Sequence, residues 1–116
     1  MAKAEYWQRG ESLDYINSGV TTIEANTIVE IGDRIGVTGT GIAPGMLGSL
    51  HVAGVFTMPK TGIAAVAMGK TVYWDGTGIT DEPDDGENPA TSYIEVGYAA
   101  AAAAADDTTI LVKLRG

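Results

Sequence analysis

Glycine limits the folds open to this chain more than any other residue, because sixteen glycines occur among its 116 residues. They recur at short intervals between Gly10 and Gly97. Each glycine inside a helix costs about 1 kcal/mol relative to alanine. Tight turns use glycine well, because its backbone adopts conformations that other residues avoid. The spacing therefore predicts short strands joined by turns, with little helix.

Runs of β-branched and aromatic residues between the glycines give the predicted strands. Two hairpins are marked by turn dipeptides, Gly32-Asp33 and Asp75-Gly76. In the last run, Ile110, Val112 and Leu114 point one way, while Leu111, Lys113 and Arg115 point the other, as in a half-buried strand. The predicted strands are residues 12–17, 20–24, 27–31, 34–38, 47–58, 71–75, 79–81, 93–98 and 108–115.

Two segments need a choice between structures. Residues 47–58 alternate with period two, since Leu50, Val52, Phe56 and Met58 share one face, and this pattern predicts one continuous strand. The alanine run at 99–105 is too short for an isolated helix. We therefore favour a strand followed by a turn there over one helical turn. A short helical turn is also an alternative at residues 63–68.

The combined pattern predicts an all-β fold: a compact sandwich or barrel-like domain of short antiparallel strands, with at most one or two helical turns. No internal repeat and no linker is evident. We assign residues 1–19 to an N-terminal arm and first strand, and residues 20–116 to a single β-rich domain.

Charge and composition exclude several classes of protein. Seven Lys and Arg against fifteen Asp and Glu give a net charge of −8, which disfavours nucleic-acid binding without a local basic patch. The chain has no cysteine, so disulfides and thiolate metal sites are excluded. No signal-peptide core or apolar run of membrane-spanning length is expected.

Gly69-Lys70-Thr71 invites comparison with a phosphate-binding P-loop. That motif needs a glycine five residues before its Gly-Lys-Thr, and the residue there is Ala64. Its threonine should also open a helix, whereas Thr71 begins a predicted strand. We therefore interpret Lys70 as a residue at a strand edge.

Two further features suggest metal or catalytic chemistry but do not complete a site. The acidic loop 81–87 matches a calcium loop only at Asp81, Asp85 and Gly86, and we interpret it as a solvated loop. His51 is the only histidine. A serine–histidine–aspartate triad would need a serine such as Ser12, and no local signature marks one. The sequence predicts no catalytic residue, no metal site and no cofactor.

The N-terminal segment is rich in residue types that favour protein interfaces. Tyr6, Trp7, Gln8, Arg9 and Tyr15 lie within the first fifteen residues. Aromatic residues and arginine are enriched among interface hot spots. These residues are our candidate binding surface. The alternative is that they pack onto the domain's own core.

Five motifs in a fixed order make the chain resemble a family of small phage head proteins, the capsid cement or decoration proteins. The first is aromatic-Gln-x-Gly-Glu-x-x-Asp-Tyr. A Gly-Asp-x-x-Gly-Val element, a Gly-x-Leu-Gly segment ending in Pro-Lys and a Val-Tyr-Trp-Asp hairpin follow. The last runs from Val-Gly-Tyr-Ala to an alternating strand. They occupy residues 7–15, 32–37, 45–60, 69–75 and 96–114.

The resemblance implies a β-rich homotrimer on the outer surface of the virion, bound to the major capsid protein after synthesis in the host cytoplasm. It implies a structural role, with no enzymatic activity and no nucleic-acid or membrane partner. Older labels describe such proteins as RecA-like recombinases, yet that core needs a P-loop and far more than 116 residues. A recombination-associated protein that binds nucleotide or DNA, and a small β-barrel that binds a ligand, remain the alternatives.

Overall fold

The computed structural model describes residues 2–115, and these residues form nine strands and no α-helix. No segment among them is therefore a helix that could span a membrane. The strands are β1 (Ser12–Ile16), β2 (Ile28–Ile31), β3 (Arg34–Thr38), β4 (Leu47–His51), β5 (Gly54–Pro59), β6 (Thr71–Trp74), β7 (Ile79–Thr80), β8 (Ile94–Ala99) and β9 (Thr109–Leu114). The predicted all-β class is confirmed.

The first sheet has four antiparallel strands in the order β1-β4-β3-β2. Three consecutive strands lie side by side and the first strand pairs with the last, which is a Greek-key order. The β2–β3 hairpin turns at Gly32-Asp33, where Gly32 has a φ of +61°. The turn predicted from that dipeptide is confirmed.

The second sheet has five antiparallel strands in the order β5-β9-β8-β6-β7. Its two ends also meet, because Lys60, directly after β5, forms a parallel bridge with Ile79 of β7. The N–H groups of Thr61 and Gly62 both donate to the Ile79 carbonyl, at 2.9 and 3.1 Å. This contact gives the second sheet a barrel-like closure and joins its edges.

The main core lies inside the second sheet and continues under the first. Val72, Ile79, Ala99 and Val112 are fully buried, and Met58 is nearly so. From the first sheet, β3 approaches β8 and contributes Ile35 and Val37 to the same cluster. The alternation that predicted Ile110, Val112 and Leu114 as inward-facing is confirmed, since all three are buried.

The two sheets repeat one topology that the sequence did not reveal. The order β1-β4-β3-β2 is matched by β5-β9-β8-β6, to which β7 is added. Both halves also hold a pair of loop residues in an isolated antiparallel bridge, Ile23 with Ile42 and Val66 with Ala103. Each pair exchanges two backbone hydrogen bonds of 2.8–2.9 Å. The expectation of no internal repeat is therefore wrong at the level of structure.

The bridges explain the alanine run. Ala99 ends β8 with no exposed surface, and Ala103 is buried against Val66. The chain then turns, with the N–H of Asp107 donating to the Ala104 carbonyl at 3.1 Å. A larger side chain at either buried position would have to displace the core, because interiors are close-packed. The run contains no helical turn; the strand ends at its first residue, Ala99, and the expected turn follows at residues 105–106.

A buried polar side chain follows the first strand of each half. Asn17 is 2% exposed, and its Nδ2 donates to the carbonyls of Thr21 and Ile42, both at 2.8 Å. Lys60 is 9% exposed and takes the corresponding place after β5. Its Nζ donates to the carbonyls of Gly62 and Ala105. These donors stabilise loop carbonyls that would otherwise be costly to bury.

Three sequence expectations are wrong in detail. Residues 47–58 form two strands in different sheets, and the chain changes sheet at Gly54, where φ is +116°. Residues 20–24 form no strand and contribute the single bridge residue Ile23. Residues 63–68 contain no helical turn, because Val66 is held extended by its bridge.

Candidate functional site

The N-terminal arm, residues 2–11, projects from the domain without joining a strand. Tyr6 is 81% exposed and Trp7 is 89% exposed. Neither packs on the core, so the alternative proposed for them from the sequence is wrong. Tyr15 differs, because it is half-buried within β1. Two large aromatic side chains in solvent are unusual, since tryptophan is highly buried on average.

The remaining arm candidates make weak contacts to the root of the arm. Gln8 donates from Nε2 to the Ser12 carbonyl at 3.5 Å. Arg9 lies 3.6 Å from Glu11, and both side chains are exposed. Exposed ion pairs of this kind contribute at most about 1 kcal/mol. The structure therefore brings Tyr6, Trp7, Gln8 and Arg9 together on one segment that few contacts restrain.

An apolar cleft of about 190 Å³ lies at the base of the arm, beside Gly10. Arg34 and Arg115 are part of its wall, and Arg115 also pairs with Glu95 at 2.7 Å. Its apolar walls are Leu13, Ile31, Ile35 and Val52. Sequence reasoning missed this cleft, because its walls come from four separate parts of the chain.

The predicted acidic loop lines a second cleft, of about 390 Å³, with Asp75, Glu82, Asp84 and Asp85 among its walls. Among residues 2–115, no group of three or more His, Cys, Asp or Glu side chains is arranged to hold a metal. Hydrogen bonds from the N–H groups of Glu87 and Thr91 lower the pKa of Asp85. The carboxylate therefore serves to order the loop.

Tyr93 borders the same cleft. Desolvation raises the pKa of its phenol, and the negative charges of Asp85 and Asp75 raise it further. The hydroxyl therefore stays protonated well above neutral pH. A protonated phenol cannot act as a general base, so Tyr93 adds no proton acceptor to the carboxylates of the cleft.

Asp75 caps the β6–β7 hairpin. Its Oδ1 accepts from the N–H groups of Thr77 and Gly78, both at 2.9 Å, and its Oδ2 accepts from the Thr61 hydroxyl at 2.6 Å. Desolvation acts to raise its pKa, but these hydrogen bonds outweigh it and lower the pKa below 3.8. The carboxylate is thus a structural acceptor within the turn.

We expect Asp75→Asn to lower the stability by about 1 kcal/mol at pH 7, because the charged acceptor is lost. A lowered folded-state pKa means that the carboxylate stabilises the fold above its unfolded pKa, and that this contribution disappears as pH falls through the folded value. The difference in the free energy of unfolding between wild type and variant should therefore disappear as the pH falls below 3.8. Urea denaturation at pH 7 and pH 3 measures it.

The matched control is Glu87→Gln, an exposed carboxylate in the neighbouring loop that accepts none of the described side-chain hydrogen bonds. It should leave stability nearly unchanged at both pH values. A constant gap for Asp75→Asn across the pH range would contradict the assigned role.

The Gly69-Lys70-Thr71 segment has no phosphate-binding geometry. Gly69 has a φ of +89° in a turn closed by the Lys70 N–H and the Ala67 carbonyl, at 3.1 Å. Thr71 then begins β6. The prediction that Thr71 opens a strand is confirmed, and residues 2–115 contain no helix whose N-terminus could face this turn.

The structure does bring a serine to His51. The Ser12 hydroxyl lies 3.1 Å from Nδ1 of the ring, although the two residues are 39 positions apart. The Nε2 side faces Gly39, where an added Cβ would lie 2.9 Å away. In residues 2–115 no carboxylate is hydrogen-bonded to this ring, so the third member of a triad is missing. The pair instead ties β1 to β4.

Comparison with known proteins identifies the family to which this fold belongs. The model of a family described as phage cement protein matches residues 7–114. The chain belongs to the phage cement protein family. No curated protein and no solved structure shows a significant match.

The match confirms the resemblance drawn from the five motifs. It covers both repeated halves and the arm from Trp7 onward. Phage cement proteins associate with the capsid, and the family is structural. The match therefore favours capsid decoration over the recombination and ligand-binding alternatives.

Proposed function

We propose that this phage cement protein binds the outer surface of the phage head as a homotrimer and stabilises the lattice of the major capsid protein. The family match over residues 7–114 carries the proposal. The exposed arm supports it, because Tyr6 and Trp7 provide apolar surface that the described domain leaves uncovered. No chemical step is required, and the protein acts without catalysis or a cofactor.

Binding alone accounts for the stabilisation. A protein that binds the closed capsid lattice and not separated subunits favours the closed lattice by mass action. Three linked copies gain more than one, because the second and third contacts form at a high effective concentration. The arm and β1, with Tyr6, Trp7, Gln8, Arg9 and Tyr15, form the surface that faces the capsid in this proposal.

The acidic loop then faces solvent. Its carboxylates order the loop through hydrogen bonds to its own backbone, as Asp85 does with Glu87 and Thr91. A net charge of −8 keeps decorated particles apart through mutual repulsion. After synthesis in the host cytoplasm, the protein resides on the virion.

The direct test adds purified protein to heads that lack it and images them. We expect ordered density on the outer surface, and heads that break at a higher temperature than undecorated ones. Light scattering coupled to gel filtration should give three times the 12.0 kDa mass of one chain. Absence of density would refute decoration, and nucleotide hydrolysis by the pure protein would favour the recombination alternative.

A further inference from the structure

The first sheet leaves its edges open, in contrast to the second. β1 pairs with β4 on one side, and no backbone hydrogen bond within residues 2–115 joins its other side to a strand. The second sheet instead closes through Lys60 and Ile79. An open edge presents N–H and C=O groups to which an extended chain can bind.

The hydrogen bonds at both ends of β1 show which residues face this edge. The Val52 N–H donates to the Glu11 carbonyl, and the Asn17 N–H donates to the Met46 carbonyl. In an antiparallel pair the direction alternates, so odd-numbered residues bond to β4. The N–H and C=O groups of Ser12, Asp14 and Ile16 therefore point outward.

One of these outward groups already has a donor beside it. The Gln8 amide lies 3.5 Å from the Ser12 carbonyl. That carbonyl is therefore accessible to an approaching chain, and the arm runs past the same edge. Because Gln8 is held by this single long contact, an incoming backbone N–H can replace it at a shorter distance.

The side chains along the edge define what can pair with it. Asp14 is exposed at the centre of the strand. Next to it, Ile16 is 59% exposed and lies opposite Leu47, which is 61% exposed. A docked strand would thus meet a negative charge at one position and apolar surface two residues later.

A second copy of β1 does not suit this edge. Antiparallel pairing centred on the strand would set Asp14 opposite Asp14, with Cβ atoms about 5 Å apart, and directly opposed like charges destabilise a sheet. A basic residue opposite Asp14 is favourable instead. The charge therefore disfavours this pairing of two β1 strands and suits a strand that carries a basic residue at this position.

We propose that the outer edge of β1 binds an extended segment of the major capsid protein that carries Lys or Arg opposite Asp14 and an apolar residue opposite Ile16. This inference rests on the proposed function and specifies its contact. The capsid segment extends the first sheet, and the apolar surface of Ile16 and Leu47 covers its side chain.

The test substitutes Asp14 and compares binding to undecorated heads. Proline is tolerated on edge strands where its missing N–H faces outward, so Asp14→Pro should fold. It removes the central outward donor and should weaken binding at least about tenfold, since several copies bind together. Asp14→Lys keeps the N–H, reverses the charge, and should also weaken binding about tenfold.

The open edge of β2 supplies the matched control. Ile31 pairs with Arg34 across the two-residue turn, so Glu30, one residue earlier, points outward. Glu30→Pro and Glu30→Lys make the same changes to an exposed acidic residue at the other free edge. Both should bind heads within about twofold of wild type, because β2 has no part in the proposed contact.

The outcomes separate this inference from the proposed function. Wild type that fails to bind heads refutes both. Wild type that binds while both Asp14 variants bind equally well refutes the edge contact alone. Equal weakening by Asp14 and Glu30 variants would show a general charge effect and overturn it too. A change of oligomeric state in Asp14→Pro would assign the edge to contacts between copies of this chain and overturn the inference. If Asp14→Pro does not fold, head binding by Asp14→Lys tests the edge contact instead.

Discussion

Gly97→Ala should abolish stable folding. Gly97 lies in β8 between two partners, paired with Val72 of β6 and Leu114 of β9. An added Cβ would overlap the Lys113 carbonyl oxygen and lie 3.1 Å from the Arg115 nitrogen. Its φ of +152° also disfavours any L side chain. Because the obstructing atoms are backbone, relief requires β8 and β9 to separate.

Such a clash belongs to the small class of substitutions that cost more than about 4 kcal/mol. The total stability of a domain is about 5–15 kcal/mol, so most of it would be lost. Soluble yield and the urea midpoint measure the effect. Gly86→Ala is the control, since Gly86 has a φ of +72° but nothing within 4 Å of an added Cβ.

The control should lose about 1–2 kcal/mol from backbone strain alone. The loss of stability in Gly97→Ala must be clearly larger than the loss in Gly86→Ala if close backbone packing is the cause. Equal losses in the two variants would show that β8 is not pressed against the Lys113 carbonyl.

The strands that were predicted correctly are those bounded by residues with a strong local turn preference. Gly32-Asp33 and Asp75-Gly76 both mark hairpins, and the alternation in β9 gives its buried face correctly. In each case a turn residue with a fixed conformational demand adjoins a period-two pattern. Local information was sufficient there, because neighbouring strands in the chain also pair in the sheet.

The break at Gly54 could not be predicted in the same way. Leu50 and Met58 are both buried, but they lie in different sheets, and the alternation continues across the change of sheet. A glycine inside an apolar pattern indicates a bulge as readily as a crossing. Which one occurs depends on where β9 lies to receive β5, and this is a long-range contact.

The repeat could not be recognised in the sequence, because its two halves have the same pattern of backbone hydrogen bonds but different side chains. The bridge residues are isoleucine in the first half and valine with alanine in the second. Each bridge residue is followed by a strand. The strand begins five residues after Ile23, Ile42 and Val66, at positions 28, 47 and 71, and six residues after Ala103, at position 109. A regular spacing of main-chain contacts leaves no repeated motif.

The candidate site was predictable in its residue types but not in its exposure. Aromatic residues near a terminus can pack on their own core or on a partner, and the sequence around Tyr6 and Trp7 fits both. Their solvent exposure is a property of the folded arm, at whose root Gly10 has a φ of +77°. Likewise, the pairing of Ser12 with His51 needs β1 beside β4, which no local motif encodes.

Deletion of residues 2–9 should remove head binding while leaving the fold intact. The deleted segment makes no strand pairing, and its two large aromatic side chains are 81% and 89% exposed. Little buried area is lost, so the thermal midpoint should change by no more than a few degrees. Binding should fall below detection, because aromatic anchors commonly carry a large share of interface energy.

Two comparisons make that deletion decisive. Tyr6→Ala with Trp7→Ala keeps the length of the arm and should reproduce most of the loss, whereas Val20→Ala, which truncates a 92% exposed side chain away from the arm, should bind normally. Gel filtration of each variant reports the oligomer separately from head binding. A truncated protein that decorates heads as wild type does would move the capsid contact from the arm to β1 or to another face, since nothing deleted could then be part of it.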